Sequence, residues 1–398
     1  MTAIALEDLA RRLVTQVPGA APASALPPIG AVLGVHTRDG TRVAAAGSAS
    51  VGTDQPMTTG TWHDLASVTK VAGTTAAVMR LVSDGLLSLD QQAAGLLPTF
   101  GEGAKRDITV RDLLAHRSGM AAWWPLYLEA RPGAAPRAAH AVVDALPLTD
   151  RPGSRHRYSD LGFVQLGRIV AAVTGLPLAS AVRTLVHEPL GVDLRYGTEP
   201  GSPVAASALD DRVEREMIDS GIPYPVPFVS AGFAGWRTGL IQGQVHDGNA
   251  FHALDGVSGH AGLFGTVPQL LRLAVTLGRA RQEPSLWAPE VLDVFFGAAE
   301  QAAGDGRQPW QQALGFRRYT LDLGGREVVA LGHPGFVGAA MAFVPGAEVA
   351  VALGTNRLLH GGVPVPTELL LREVLRLALD PTAPSSFRPA PEPSRGMS

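Results

Sequence analysis

Residues 67–70 read Ser67-Val68-Thr69-Lys70, at the head of a segment with helical character that runs to residue 84 and stops at Gly85, a residue type suited to a C-terminal cap. On a helix, residues three apart share a face, so this spacing sets the Lys70 amine beside the Ser67 hydroxyl. A serine hydroxyl is a poor nucleophile until an adjacent base takes its proton, and a desolvated lysine can do so. Lysine occurs only at positions 70 and 105, and arginine carries the rest of the positive charge. Arginine stays protonated in proteins, whereas lysine can be tuned into a base. For Lys105 codon bias is explanation enough. As a bare spacing the Ser67–Lys70 pair is weak, because a surface lysine after a helix-capping serine reads the same way.

Working outward, residues 29–37 and 41–48 read as two strands joined at Arg38-Asp39-Gly40, a hairpin signal. Residues 4–16 before them read as an amphipathic helix. The last third returns to strands at 326–332, 337–344 and 348–354. They are broken by His333-Pro334-Gly335 and Pro345-Gly346, which suggests an antiparallel meander followed by a helix at about 364–379. Between the two strand-rich ends the chain is mostly helix and loop. Its clearest helix is 160–174, where Leu161, Val164, Leu166, Ile169, Val170 and Val173 recur at helical spacing. The expected architecture is an α/β (α+β) unit: residues 1–80 and 315–380 form one lobe, 81–314 form a mostly helical second lobe, and a site lies in the cleft between them. The Pro- and Ser-rich tail 381–398 is expected to be disordered.

Two further motifs fall in this frame. Tyr158-Ser159-Asp160 stands at a loop-to-helix boundary after Pro152-Gly153. A tyrosine oxygen near a lysine can relay a proton to a leaving group. Taken alone, the motif is equally a buried tyrosine ahead of a capped helix. His333-Pro334-Gly335-Phe336-Val337-Gly338 lies between two apolar strands, where glycine lets a substrate approach the strand backbone. A backbone N–H there, with that of Ser67, could hold a developing oxyanion. By itself this is an ordinary turn.

The order and spacing of the three motifs resemble the superfamily of serine β-lactamases, penicillin-binding proteins and class C-like carboxylesterases, over about residues 28–375. The run Ile108 to Met120, with its leucine pair, His116 and Ser118-Gly119, resembles a segment of this family, and the runs Pro147 to Gly175 and Val245-His246-Asp247 through Ser258 to Phe264 are similar to its esterase and class C-like branch. The resemblance implies a β-lactamase/transpeptidase-like fold, with an antiparallel sheet flanked by helices. It also implies an acyl-enzyme on Ser67, with Lys70 as hydrogen-bonded base and Tyr158 as base or proton relay. His333 would stand where β-lactamases and penicillin-binding proteins carry a lysine. The backbone N–H groups of Ser67 and Phe336 would form the oxyanion hole, with Gly335 and Asp160 at the substrate.

Two departures narrow the chemistry. Asp160 replaces the more usual asparagine. An ionised aspartate only accepts hydrogen bonds, and it favours the charged form of Lys70. His333 replaces a fixed positive charge with a group mostly neutral at pH 7. Both count against an antibiotic-degrading β-lactamase. What remains is cleavage of a carboxylic ester or amide, or transfer of the acyl group to an amine acceptor in natural-product biosynthesis. A catalytically inactive binding homologue is the reading from another class.

The remaining features limit partners. A length of 398 residues with 46% apolar residues supports a large core, and a net charge of −3 leaves no footprint for nucleic acid or an anionic membrane. With no cysteine, disulfides, thiolate metal sites and a cysteine nucleophile are excluded. The N-terminal stretch, with acidic residues and no long apolar run, lacks the form of a secretion signal, so a cytoplasmic protein is expected. No cofactor and no metal are expected. His246, Asp247, His252 and His260 are spaced for structural hydrogen bonding rather than ligation. Trp124 and Trp236 are the expected aromatic walls of an acyl pocket, in a region that also holds Trp123 and Phe228.

Overall fold

The computed structural model describes residues 3–130, 136–283, 285–298 and 311–391. Its centre is a seven-stranded antiparallel sheet. In chain order its strands are β1 (Gly30–Thr37), β2 (Gly40–Gly47), β3 (Gln311–Gln312), β4 (Arg317–Asp322), β5 (Glu327–Pro334), β6 (Ala340–Phe343) and β7 (Ala350–Thr355), and in space they run β2-β1-β7-β6-β5-β4-β3. The two termini therefore meet in one sheet: β1, from the first strand-rich stretch, pairs with β7, from the last. The hairpin of β1 and β2 and the meander of β5, β6 and β7 both form as expected.

Successive side chains of a strand point to opposite faces, and here both faces are covered. Ala31, Leu33, Val351 and Leu353 enter a core closed by helices α1 (Ala3–Leu13) and α6 (Thr367–Leu379). Val32, Ala352, Met341 and Phe343 enter the larger core on the other face. Double burial explains why these strands read as apolar runs without alternation.

The larger core continues into the helical region, whose principal members are α2 (Ala76–Ser83), α3 (Asp160–Thr174) and α4 (Arg212–Ser220). The expected boundary at residue 314 needs one correction. Helix α5 (Val267–Arg279) packs on β1, β6 and β7 and so belongs with the sheet. Its apolar side fits closely: a Cβ on Gly34 of β1 would lie 3.0 Å from Leu271 and 3.1 Å from Val267. The expectation of a disordered tail is corrected as well. Phe387–Pro389 form a short strand paired with Gln16–Pro18. Residues 392–398 lie outside the described residues. Among the described residues, no single helix is long and apolar enough to cross a membrane.

Candidate active site

Ser67 and Lys70 sit on a composite helix rather than the uniform one expected. Ala66–Val68 is a 3₁₀ turn, Lys70–Thr75 is a π-helical turn, and only Ala76–Ser83 is α-helical. π-turns are rare and concentrate at functional sites. Ala66, just before the serine, has φ of 45°, the left-handed region that L side chains seldom adopt. A buried carboxylate holds it there. Asp64 accepts from the Ala66 N–H at 2.7 Å and from the His246 N–H at 2.7 Å, and burial pushes its carboxyl up to about 6. One carboxylate thus ties the nucleophile turn to the Val245-His246-Asp247 run.

The lysine amine lies 2.9 Å from Ser67 Oγ, 2.7 Å from Asp160 Oδ1 and 3.3 Å from the His260 carbonyl, and its side chain is fully buried. Burial pulls the Lys70 pKa down, but the Asp160 carboxylate and Tyr158 outweigh it and the net shift is upward. The resting amine is therefore an ammonium that donates to Ser67 and the His260 carbonyl and is ion-paired with Asp160. Its Nζ stands 5.0 Å from the centre of the Tyr158 ring. The expectation that Asp160 favours the charged lysine matches this geometry.

Tyr158 and Asp160 are set by the start of α3. Ser159 caps the helix: its Oγ accepts from the Gly162 N–H at 3.1 Å and donates to the Ala121 carbonyl at 2.7 Å. The Ser159 N–H donates to Nδ1 of buried His116, whose ring lies 4.5 Å from that of Tyr158. An Nδ1 that accepts carries no proton, so this histidine is neutral. Burial, with His156 and Lys70 nearby, lowers its pKa well below the ordinary value. The leucine-pair segment is thus a support for the second motif.

The Ser258–Phe264 run backs the lysine. Gly259 permits the approach, because a Cβ there would fall 2.0 Å from the Phe163 carbonyl of α3. His260 bridges Ser258 Oγ at 2.7 Å and Asp247 Oδ1 at 2.9 Å. His252 lies 3.6 Å from Asp211. His260 is thus hydrogen-bonded within the fold and His252 faces a carboxylate, and among the described residues no group of three or more His, Asp or Glu side chains is arranged to hold a metal ion.

A cavity of about 790 Å³ opens above Ser67. Ser67, Tyr158 and Asp160 line its floor, and Gly335 and Phe336 line one side. Gly335 lets β5 end against the nucleophile turn: a Cβ there would lie 2.6 Å from the Leu65 carbonyl and 3.4 Å from the Ala66 Cβ. Ala66, Ser67, Gly335 and Phe336 thus line the same cavity. His333 is placed differently from the substrate-facing role expected of it. It is buried beneath the cavity wall, with its Nδ1–H donating to the Pro334 carbonyl at 2.8 Å and its ring 5.8 Å from that of Tyr158. Burial, with Arg317 and Lys70 nearby, holds its pKa well below the ordinary value, so it is a neutral group behind Tyr158.

The aromatic wall is also corrected. Trp123 lines the cavity, stacked on Tyr224 with ring centres 6.2 Å apart, and Met217, Ile222 and Pro223 continue the apolar side. Trp124 faces away from it, donating to Glu129 at 2.8 Å and meeting Phe228 edge-on. Trp236 packs with Tyr127 and Phe233 and donates to the Ser230 carbonyl at 2.8 Å. Neither lines the cavity.

Charged residues that the motif reading passed over line it too. Arg317 pairs with Glu368 at 2.6 Å and stands 5.6 Å from the Tyr158 ring centre. Buried Glu214 accepts from the Tyr127 hydroxyl at 2.6 Å and the Gly248 N–H at 3.1 Å, and burial beside Asp247 pushes it up to about 8. Arg357 lines the cavity near Phe336. The one available sequence signal was Thr355-Asn356-Arg357, a polar triplet ending an apolar strand.

Fold and site together define the β-lactamase/transpeptidase-like class. A family model described as Beta-lactamase matches residues 6–374, and the chain belongs to that family, whose members here are serine hydrolases. It is 32% identical over 274 residues to a D-alanyl-D-alanine carboxypeptidase-like protein of Escherichia coli (strain K12), covering 64% of this chain and 60% of that protein. It is 30% identical over 328 residues to the N-acetylmuramyl-L-alanine amidase of Bacillus subtilis (strain 168), covering 76% of this chain and 69% of that one. The chain thus spans about 60–70% of the length of these relatives. Among solved structures, EstCE1, a hydrolase with promiscuous acyltransferase activity, superposes with a TM-score of 0.68 at 21% identity, covering 94% of this chain and 98% of that one, which shows the shared fold.

Proposed function

We propose that this chain is a serine acyl-transfer hydrolase that cleaves a carboxylic ester or amide through an acyl-enzyme on Ser67. The observation that carries the reading is the buried Lys70 amine, 2.9 Å from Ser67 Oγ at the floor of a substrate-sized cavity. Ser67 attacks the carbonyl carbon while its proton passes to the neutral form of Lys70, and the carbonyl oxygen takes the negative charge at the Ser67 and Phe336 N–H groups. Tyr158, beside the amine, passes the proton on to the leaving group as the carbonyl re-forms. Because Asp160 holds the resting amine charged, the reactive amine is a minor form near neutrality. His333, neutral and buried beneath the wall, offers no fixed charge to a substrate carboxylate.

The apolar side of the cavity, from Trp123 through Met217 to Tyr224, supports a second outcome. A dry acyl-enzyme can be taken by an amine before water reaches it. EstCE1, a protein of this fold, is described as a hydrolase with promiscuous acyltransferase activity. Product analysis with a p-nitrophenyl ester, with and without added amines, tests the pair. Free acid as the sole product under all conditions rejects transfer. Absence of any turnover by a folded protein rejects both and favours a binding homologue.

A further inference from the structure

We propose that Thr367 and Arg357 are positioning residues that fix the second oxyanion donor, the Phe336 N–H. This rests on the reading of Ser67 as the nucleophile. The Gly335–Phe336 peptide carries the Gly335 carbonyl on one side and the Phe336 N–H on the other, since a trans amide points the two groups in opposite directions. Thr367, the first residue of α6, donates its hydroxyl to the Gly335 carbonyl at 3.0 Å, and this bond is buried. The Gly338 N–H donates to the same oxygen at 3.2 Å. Anchored at its oxygen by α6, the peptide turns its N–H away from that helix.

Arg357 holds the next peptide. Its Nη1 donates to the Phe336 carbonyl at 2.6 Å and its Nε to the Val365 carbonyl at 2.7 Å. Its guanidinium carbon lies 5.4 Å from the Phe336 ring centre, and the His246 ring lies 5.8 Å from it. Phe336 is itself half exposed on the cavity wall, so its backbone is held by these contacts rather than by burial of its side chain. Two side chains from elements more than 20 residues downstream thus grip the carbonyls on either side of Phe336. A carbonyl that accepts hydrogen bonds also makes the N–H of the same amide a stronger donor. Among the described residues no carboxylate pairs with Arg357, so its positive field near the wall is uncancelled and favours a developing oxyanion.

The test uses Thr367→Val, which keeps the shape and removes the hydroxyl, with Thr367→Ser as rescue and Arg357→Lys as an independent arm. Each is assayed for kcat and KM on a p-nitrophenyl ester, for inhibition by an arylboronic acid that forms a tetrahedral adduct on serine, and for melting temperature. Removing a direct oxyanion donor lowers kcat by about 10²–10³, so loosening one is expected to cost about tenfold in kcat with KM within about twofold. Boronate affinity falls by the same factor, and Thr367→Ser recovers most of both. Arg357→Lys keeps the charge but replaces the rigid Nε/Nη1 fork on the two carbonyls with a single flexible ammonium, and loses kcat likewise. Wild-type kcat and boronate affinity in a folded Thr367→Val or Arg357→Lys enzyme would overturn the proposal, as would a loss confined to KM. Should Thr367→Val not fold, the Arg357→Lys arm decides alone. Failure of the wild-type enzyme to form a fluorophosphonate adduct on Ser67 would instead reject the underlying nucleophile reading.

Discussion

Replacing Asp160 by asparagine is expected to move the acid limb of the kcat/KM profile to lower pH. Asp160 Oδ1 lies 2.7 Å from the Lys70 amine. At that separation and an effective dielectric of about 20, the attraction favours the ammonium by about 6 kcal/mol. An asparagine of the same shape keeps a dipole there, so only part is lost. Losing even one quarter of it, about 1.5 kcal/mol, moves the limb by roughly one pH unit at 1.36 kcal/mol per unit. The sign follows from the environment of the amine. Burial lowers the Lys70 pKa and Asp160 raises it, so removing the carboxylate lets burial act against Tyr158 alone. The neutral amine that receives the serine proton then appears at lower pH, and activity rises earlier on the acid side. The assay is kcat/KM for an uncharged ester from about pH 5 to pH 10 in both proteins. An unmoved limb, or one moved upward, refutes the claim that Asp160 holds Lys70 charged.

Glu214 makes a prediction about stability. Its folded carboxyl is raised from 4.5 to about 8, so its stabilising contribution is complete below the unfolded value and is lost as pH rises through about 8. The melting temperature of Glu214→Gln relative to wild type should therefore improve from pH 5 to pH 8. A constant difference would show that the carboxyl titrates normally. Trp123→Leu, by opening the apolar wall, is expected to raise KM several-fold for a bulky acyl ester, at about 1–3 kcal/mol for a lost pocket contact. Trp236→Phe, outside the cavity, should leave kcat/KM within about twofold. The reverse pattern would restore Trp236 as the pocket residue.

Much of the site was legible because its chemistry is carried by short motifs. Ser67 and Lys70 are three apart, Tyr158 and Asp160 flank a helix cap, and Gly335 and Phe336 end a strand, so local geometry alone places each group. What joins these groups was less legible. Glu368 reaches Arg317 from 51 residues away, and Arg357 reaches Phe336 from 21, through packing that no periodicity announces. Trp123 and Trp124 are neighbours on an irregular loop without a repeat to say which faces inward. The composite 3₁₀, π and α path from Ala66 to Ser83 was hidden because the 3₁₀ and π pieces span only 3 and 6 residues, too short to set a period of their own. Helix α5 read as part of the middle because sequence order, rather than contact with β1 and β7, was the only guide. His333 is the clearest departure: its motif position was legible, but its burial behind Tyr158 depends on the fit of β5 against the helical region.

The central claim is a covalent acyl-enzyme on Ser67. Intact-protein and peptide mass spectrometry after treatment with a fluorophosphonate tests it most directly, with Ser67→Ala as the control. The expected result is one adduct per chain, mapped to Ser67, with loss of esterase turnover in step with labelling, and a folded Ser67→Ala protein that neither labels nor turns over. Labelling elsewhere, or undiminished turnover by Ser67→Ala, would contradict the account.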